Sequence, residues 1–170
     1  MSKLFVSFAA LSSLVLGVGG CSSNGNSTGS GGAPSIANNS AMATCMAQNP
    51  TATSFQANLA GDLGADGGGM TVTIESATPS TPVVGPNVWT FRILDANGQP
   101  VTGATLELAQ WMPLHGHPGP NFPTSTDNGD GTYELQPVDF SMTGFWTNKV
   151  EVKQPATAMD VTAEFDFCVE

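Results

Sequence analysis

Both histidines of this 170-residue chain fall in one short run, Trp111-Met112-Pro113-Leu114-His115-Gly116-His117-Pro118-Gly119-Pro120. In extended backbone, positions i and i+2 project to the same side, which is the spacing two imidazoles need to share one ion. The prolines and glycines of the run preclude a helix and make a stiff, shaped loop. Met112 precedes the histidines, and a second methionine, Met142, stands in Phe140-Ser141-Met142-Thr143-Gly144-Phe145-Trp146. Thioether and imidazole together suit copper, the methionines favouring Cu(I) and the histidines serving both oxidation states. The predicted metal-ligating set is therefore Met112, His115, His117 and Met142, with Trp111 and Trp146 as an apolar wall limiting water access. A packing role competes with this reading. Met112 has the parity of Leu106 and Leu108, Met142 has that of Trp146, and the histidines also fit a solvated loop. His-x-His is by itself a weak pattern.

Other chemistries find less support. The acidic turn Asp127-Asn128-Gly129-Asp130-Gly131 lacks the alternating acids and terminal Glu of a calcium loop, so it reads as a turn. A blue-copper site needs a thiolate between His and Met ligands, and no such cluster occurs. There is no Gly-x-Ser-x-Gly, and both histidines lie in one loop without an orienting acid. The chain is expected not to be an enzyme.

The elements that must carry the loop are strands. Met70, Val72 and Ile74 alternate with polar residues, as do Trp89, Phe91 and Ile93. So do Leu106 and Leu108, then Trp146, Val150 and Val152, then Val161, Ala163, Phe165 and Phe167. Each is the pattern of a half-buried antiparallel strand. Asp95-Ala96-Asn97-Gly98 and Asp127–Gly131 are tight-turn sequences. No stretch shows a sustained 3.6-residue apolar period. The prediction is all-β: a single immunoglobulin-like antiparallel sandwich of about seven strands over residues 44–170. Cys45 and Cys168 stand near its two ends, and in an oxidising compartment they are expected to form a disulfide. Cys168 has the parity of Glu164 and Asp166, so the bridge should pin the N-terminal segment to the outside of the last strand.

Upstream, Lys3 and the apolar run Leu4 to Val18 read as an export signal over residues 1–20, too short to span a bilayer. The junction Val18-Gly19-Gly20-Cys21 resembles the lipobox of bacterial lipoproteins, which implies acylation of Cys21 and anchoring in a membrane of the cell envelope. Residues 21–43, rich in Ser, Gly and Asn, read as a flexible tether reaching roughly 20–30 Å. Export leaves three cations, Arg92, Lys149 and Lys153, against fourteen acids. Such acidity argues against nucleic acid and against electrostatic membrane binding, since both partners are anionic.

Taken together, Met112-Pro113-x-His115-x-His117, Gly131-x-Tyr133 and Met142-x-Gly144-x-Trp146 resemble the YtkA-like domain family over about residues 84–153. That resemblance implies an immunoglobulin-like domain facing the periplasm or exterior and associated with copper handling. It carries the ligand role to Met112, His115, His117 and Met142. Many members have a second Met where this chain has Leu114. The expectation is a lipid-anchored copper-binding module that sequesters the ion or delivers it to a copper-receiving envelope protein. The rival is a metal-free structural sandwich serving as an accessory subunit of an envelope complex. For the anchor, Cys21→Ser is expected to abolish acyl labelling and to block processing or release the protein from the membrane fraction. Unchanged mass and membrane retention would refute it.

Overall fold

The computed structural model describes residues 36–155 and 160–170, which belong to one compact unit spanning residues 34–170. The export signal, Cys21 and most of the predicted tether lie outside the described residues. In chain order the elements are α1 (Ile36–Gln48), β1 (Leu59–Ala60), a 3-10 turn at Gly64–Asp66, β2 (Thr71–Thr78), β3 (Gly85–Leu94) and β4 (Thr105–Met112). There follow β5 (His117–Pro118), β6 (Thr124–Asp127), β7 (Thr132–Phe140), β8 (Gly144–Lys153) and β9 (Val161–Val169). The chain forms two antiparallel sheets, β1-β2-β3-β7-β6 and β5-β4-β8-β9. The fold is the predicted all-β immunoglobulin-like sandwich. Seven of its strands have four or more residues, and β1 and β5 add two residues each.

Period-two alternation gives each sheet one apolar face, and the two faces close on one core. The first sheet contributes Val72, Ile74, Trp89, Phe91, Tyr133, Leu135 and Phe140, all fully buried. The second contributes Leu106, Leu108, Met112, Trp146, Val150, Val152, Ala163, Phe165 and Phe167. Aromatic rings interlock within the first sheet and across the gap. Trp89 lies 5.6 Å from Phe167 and 5.9 Å from Phe140, and Phe140 meets Trp146 edge-on at 5.3 Å. Such pairs add about 0.5–1.5 kcal/mol each beyond area burial.

The turns form as their side chains dictate. Asp95 Oδ1 accepts the N–H groups of Asn97 and Gln99, each at 2.8 Å, while Gly98 takes φ +75°. The Gln99 N–H foremost holds the Asp95 carboxyl below the usual carboxylate range. Tyr133 closes the opposite connection: its hydroxyl donates to Val101 O at 2.9 Å and accepts from Ala104 N at 3.2 Å.

One element differs from the sequence reading. Residues 36–43, assigned to the tether, are the first part of a helix. The helix has no apolar stripe to reveal it, since Ala, Asn, Ser and Thr dominate its sequence. Its end is fixed by Asn49, whose backbone N–H and side-chain amide both donate to Cys45 O, at 3.1 and 2.7 Å. Tertiary attachment supplies the rest: α1 packs on β8 and β9, and Cys45 is bonded to Cys168. As its parity requires, Cys168 points away from the core, yet it is only 2% exposed because α1 covers it.

The bridge closes a loop of 123 residues. In the chain-entropy picture that is worth on the order of 4–5 kcal/mol, an upper bound. Replacing both cysteines by Ser is expected to lower the urea midpoint by an equivalent of a few kcal/mol while the β-sheet circular dichroism persists. Two freely alkylated thiols in the denatured, unreduced protein would contradict the bridge.

Candidate metal centre

Strand β4 ends at Met112, and the chain turns back at once. The N–H groups of His115 and Gly116 both donate to Met112 O, at 3.2 and 2.8 Å, and Gly116 adopts φ +67°. The chain then returns along β4 as β5, pairing His117 with Met112 and Pro118 with Trp111. The run predicted as an extended loop is thus a tight hairpin, with His115 on the turn and His117 on the returning strand. Their rings stand 6.0 Å apart at 45°. The histidines converge by hairpin geometry rather than by extended i, i+2 spacing.

His117 is half-buried and oriented by two contacts. Its Nδ1 lies 2.9 Å from Pro118 O, and its ring meets Trp146 edge-to-face at 5.7 Å and 73°. A carbonyl can only accept, so Nδ1 carries the proton in the neutral ring and Nε2 presents a lone pair. That is the arrangement by which metal-binding histidines are commonly held. His115 is exposed, and its Nδ1 lies 2.8 Å from Met142 Sδ. Both atoms are lone-pair donors. At this separation Nδ1 carries the proton and donates it to the sulfur.

Met142 reaches this position from the turn between β7 and β8. Its carbonyl accepts the indole N–H of Trp146 at 3.1 Å, which fixes the turn to the core. Met112 behaves differently. It is 1% exposed and belongs to the core cluster. Its terminal methyl fills the space beside Gly144, where an added Cβ would lie 2.6 Å from it. The structure therefore places His115, His117 and Met142 around one end of the second sheet and packs Met112 beneath them. Trp146 forms the apolar wall, but Trp111, expected to share that role, points to the other face of the sheet and is 45% exposed. The strict alternation along β4 makes this unavoidable: if Met112 faces inward, Trp111 cannot.

Among the described residues no group of three or more His, Cys, Asp or Glu side chains is placed to hold a metal ion. The donors at this end are nitrogen and sulfur, a set that suits a soft ion rather than calcium or magnesium.

Three supporting features were missed in the sequence. Gln110 and Asn148 are buried on the inner faces of β4 and β8, and Gln110 Nε2 donates to Asn148 Oδ1 at 3.3 Å. Asn148 Nδ2 in turn donates to Phe165 O at 3.1 Å, and Gln110 O accepts the Gly119 N–H that follows β5. Their signal was available, since both polar side chains sit at the inward parity of their strands. Gly144 is the third: the sequence marks it only as part of Met142-x-Gly144-x-Trp146, with no sign of its packing role.

The YtkA-like family matches residues 67–151 of the chain. No curated protein matches it. Among solved structures, the chain is similar to that described as the crystal structure of invasin, a bacterial integrin-binding protein. The identity is 24% and the TM-score 0.37, over 65% of this chain and 20% of that one.

Gly144 takes φ +130°, a conformation open to glycine and little else, and its missing Cβ makes room for Met112. Gly144→Ala is expected to destabilise by about 1–3 kcal/mol through backbone strain, with more from displacing the Met112 methyl. Gly98→Ala, also at positive φ but with open space around it, is the control and should cost less. Urea denaturation of both variants decides; an equal or smaller loss at Gly144 would contradict the packing described.

Proposed function

Since the chain belongs to the YtkA-like family, an extracytoplasmic family, we propose that it is a lipid-anchored copper-binding module of the cell envelope. Copper is its cargo, held for sequestration or for delivery to a copper-receiving envelope protein. His115, His117 and Met142 are the donors, and Met112 is the side chain on which they rest. The observation that carries this reading is the 2.8 Å approach of His115 Nδ1 to Met142 Sδ, beside a second imidazole whose Nε2 is free. Two imidazole nitrogens and a thioether sulfur, with no carboxylate among them, match the preferences of Cu(I) better than those of Cu(II). Under the rival reading, a metal-free structural sandwich, the same approach is a hydrogen bond from Nδ1–H to the sulfur.

The role is binding rather than catalysis. The donors stand at the end of the sandwich on two short connections, each tied to the rigid core through Trp146. One contact supports His117, and the other holds the Met142 turn. Cys21 supplies the anchor. No helix among the described residues is long and apolar enough to cross a membrane.

The test is a competition titration of the purified protein with Cu(I) and with Cu(II) against a chromogenic chelator. His115→Ala, His117→Ala and Met142→Leu are each expected to weaken Cu(I) binding by about tenfold or more, since even changes behind the ligands cost that much. Met112→Leu should change it by less than about threefold, as a volume-conserving core swap. Wild type and both histidine variants competing equally poorly would end the copper reading.

A further inference from the structure

The outer face of the second sheet is divided between apolar and acidic residues. Four large apolar side chains are exposed among the described residues, and three of them, Trp111 (45%), Leu114 (81%) and Phe122 (91%), lie within twelve positions of one another. The sequence from Leu108 to Thr126 carries no Asp, Glu, Lys or Arg. Phe122 stands over a hollow of about 610 Å³ shared with Glu107, Ala109, Lys149, Glu151 and Thr162. Ala109 and Trp111 are consecutive outward residues of β4, so this apolar strip runs along the β4 edge to the Leu114 turn.

Across the same face the character changes. The ladder sets Pro118, Trp111, Thr147 and Asp166 side by side on β5, β4, β8 and β9. Asp166 lies two strand spacings from Trp111, roughly 10 Å. It borders a second hollow, of about 420 Å³, together with Thr51, Thr53, Asp62 and Glu164. Glu164 has a partner in Lys149 at 3.2 Å. Asp166 has no ion-pair partner of its own: its carboxyl is hydrogen-bonded by the side chains of Thr147 and Thr51, its Oδ1 is buried without a hydrogen bond, and burial foremost raises the carboxyl above the usual range. Each cation of the described residues is already engaged: Arg92 with Glu75, Lys149 with Glu164, Lys153 with Glu107 and Glu151.

We propose that this face docks a partner protein, which lays an apolar side chain on the Trp111–Phe122 strip and sets a lysine or arginine in the Asp62–Glu164–Asp166 hollow. The two anchor points are separated by the width of two strands, a span that one short segment of a partner covers. Apolar anchors flanked by a charged pair are the usual makeup of a contact that binds tightly and is specific. Charge selects the occupant. A second copy of this chain would bring its own surplus of acid to the face, and an anionic membrane would be repelled. A basic protein is attracted by the net charge of −10.

A photo-crosslinking residue placed at Phe122 or Trp111 in the full chain, with Val84 as an exposed apolar control, tests this in the cells that make the protein. One adduct is expected from the first two sites and not from Val84, and mass spectrometry should find lysine or arginine in the partner's cross-linked segment. Its yield should fall about fivefold or more in the Asp62→Asn, Asp166→Asn variant. As a check free of any folding defect, wild-type yield should fall when the extract is taken from about 0.05 to about 0.5 M salt. The adduct should survive in His115→Ala, His117→Ala, which separates this surface from the copper site. An adduct with a second copy or with lipid, an absent adduct, or indifference to both charge and salt would overturn the proposal.

Discussion

Trp146 is the side chain on which both the core and the donor cluster depend. One edge of its indole meets Phe140 and, through it, the Trp89–Phe167 contact that locks the two sheets. His117 packs edge-to-face on it, and its N–H holds the carbonyl of Met142. The hairpin bearing the histidines and the turn bearing the thioether come from distant parts of the chain and are joined through the β4–β8 ladder and the packing of Met112 beside Gly144. Their relative position is therefore set by core packing rather than by the loops themselves. Core interiors resist small displacements because they are packed as densely as crystals, and the donors inherit that stiffness.

Directly inside this layer sits a polar one. Gln110 and Asn148 spend buried volume on hydrogen bonds where Leu108 and Val150 spend it on dispersion. A buried amide pair adds little net stability, but it penalises any register in which its members lose each other. A one-residue slip of β4 against β8 would strand both amides and turn Met112 outward. The layer thus fixes which residues of the β4 end face the core, and with them the direction of the hairpin.

Where information was local, the sequence was legible. Alternation marked the longer strands Trp146–Val152 and Val161–Phe167, and the runs Asp95-Ala96-Asn97-Gly98 and Asp127-Asn128-Gly129 marked the turns after β3 and between β6 and β7, because a side chain and its nearest backbone decide those outcomes. Cys168 could be placed outside the core by parity alone. Helix α1 could not be seen, since what holds it is a bond to a residue 123 positions away and not a stripe of its own. The sequence named four residues for this end of the sheet but not their arrangement, in which Met112 packs into the core. That Met142 rather than Met112 meets His115 depends on how β7 leads into β8, a pairing that no short window of sequence contains. Trp111 falls outside the apolar wall for a simpler reason: the alternation along β4 that turns Met112 inward turns its neighbour outward.

The Cys45–Cys168 bond joins the first described helix to the last strand, so the domain's two ends meet at one covalent point on the back of the second sheet. This sets the path of mechanical load. A pull transmitted along the chain into α1 enters the fold at β9 through a bond that ordinary forces do not break. It does not peel β1 or β2 from the edge of the first sheet. Inside the sheet the load is carried by the long β8–β9 ladder, which pairs residues 144–152 with 161–169. Strand β8 also carries Trp146, so the His117 and Met142 contacts are borne on the strand paired directly with the one that would take such a load.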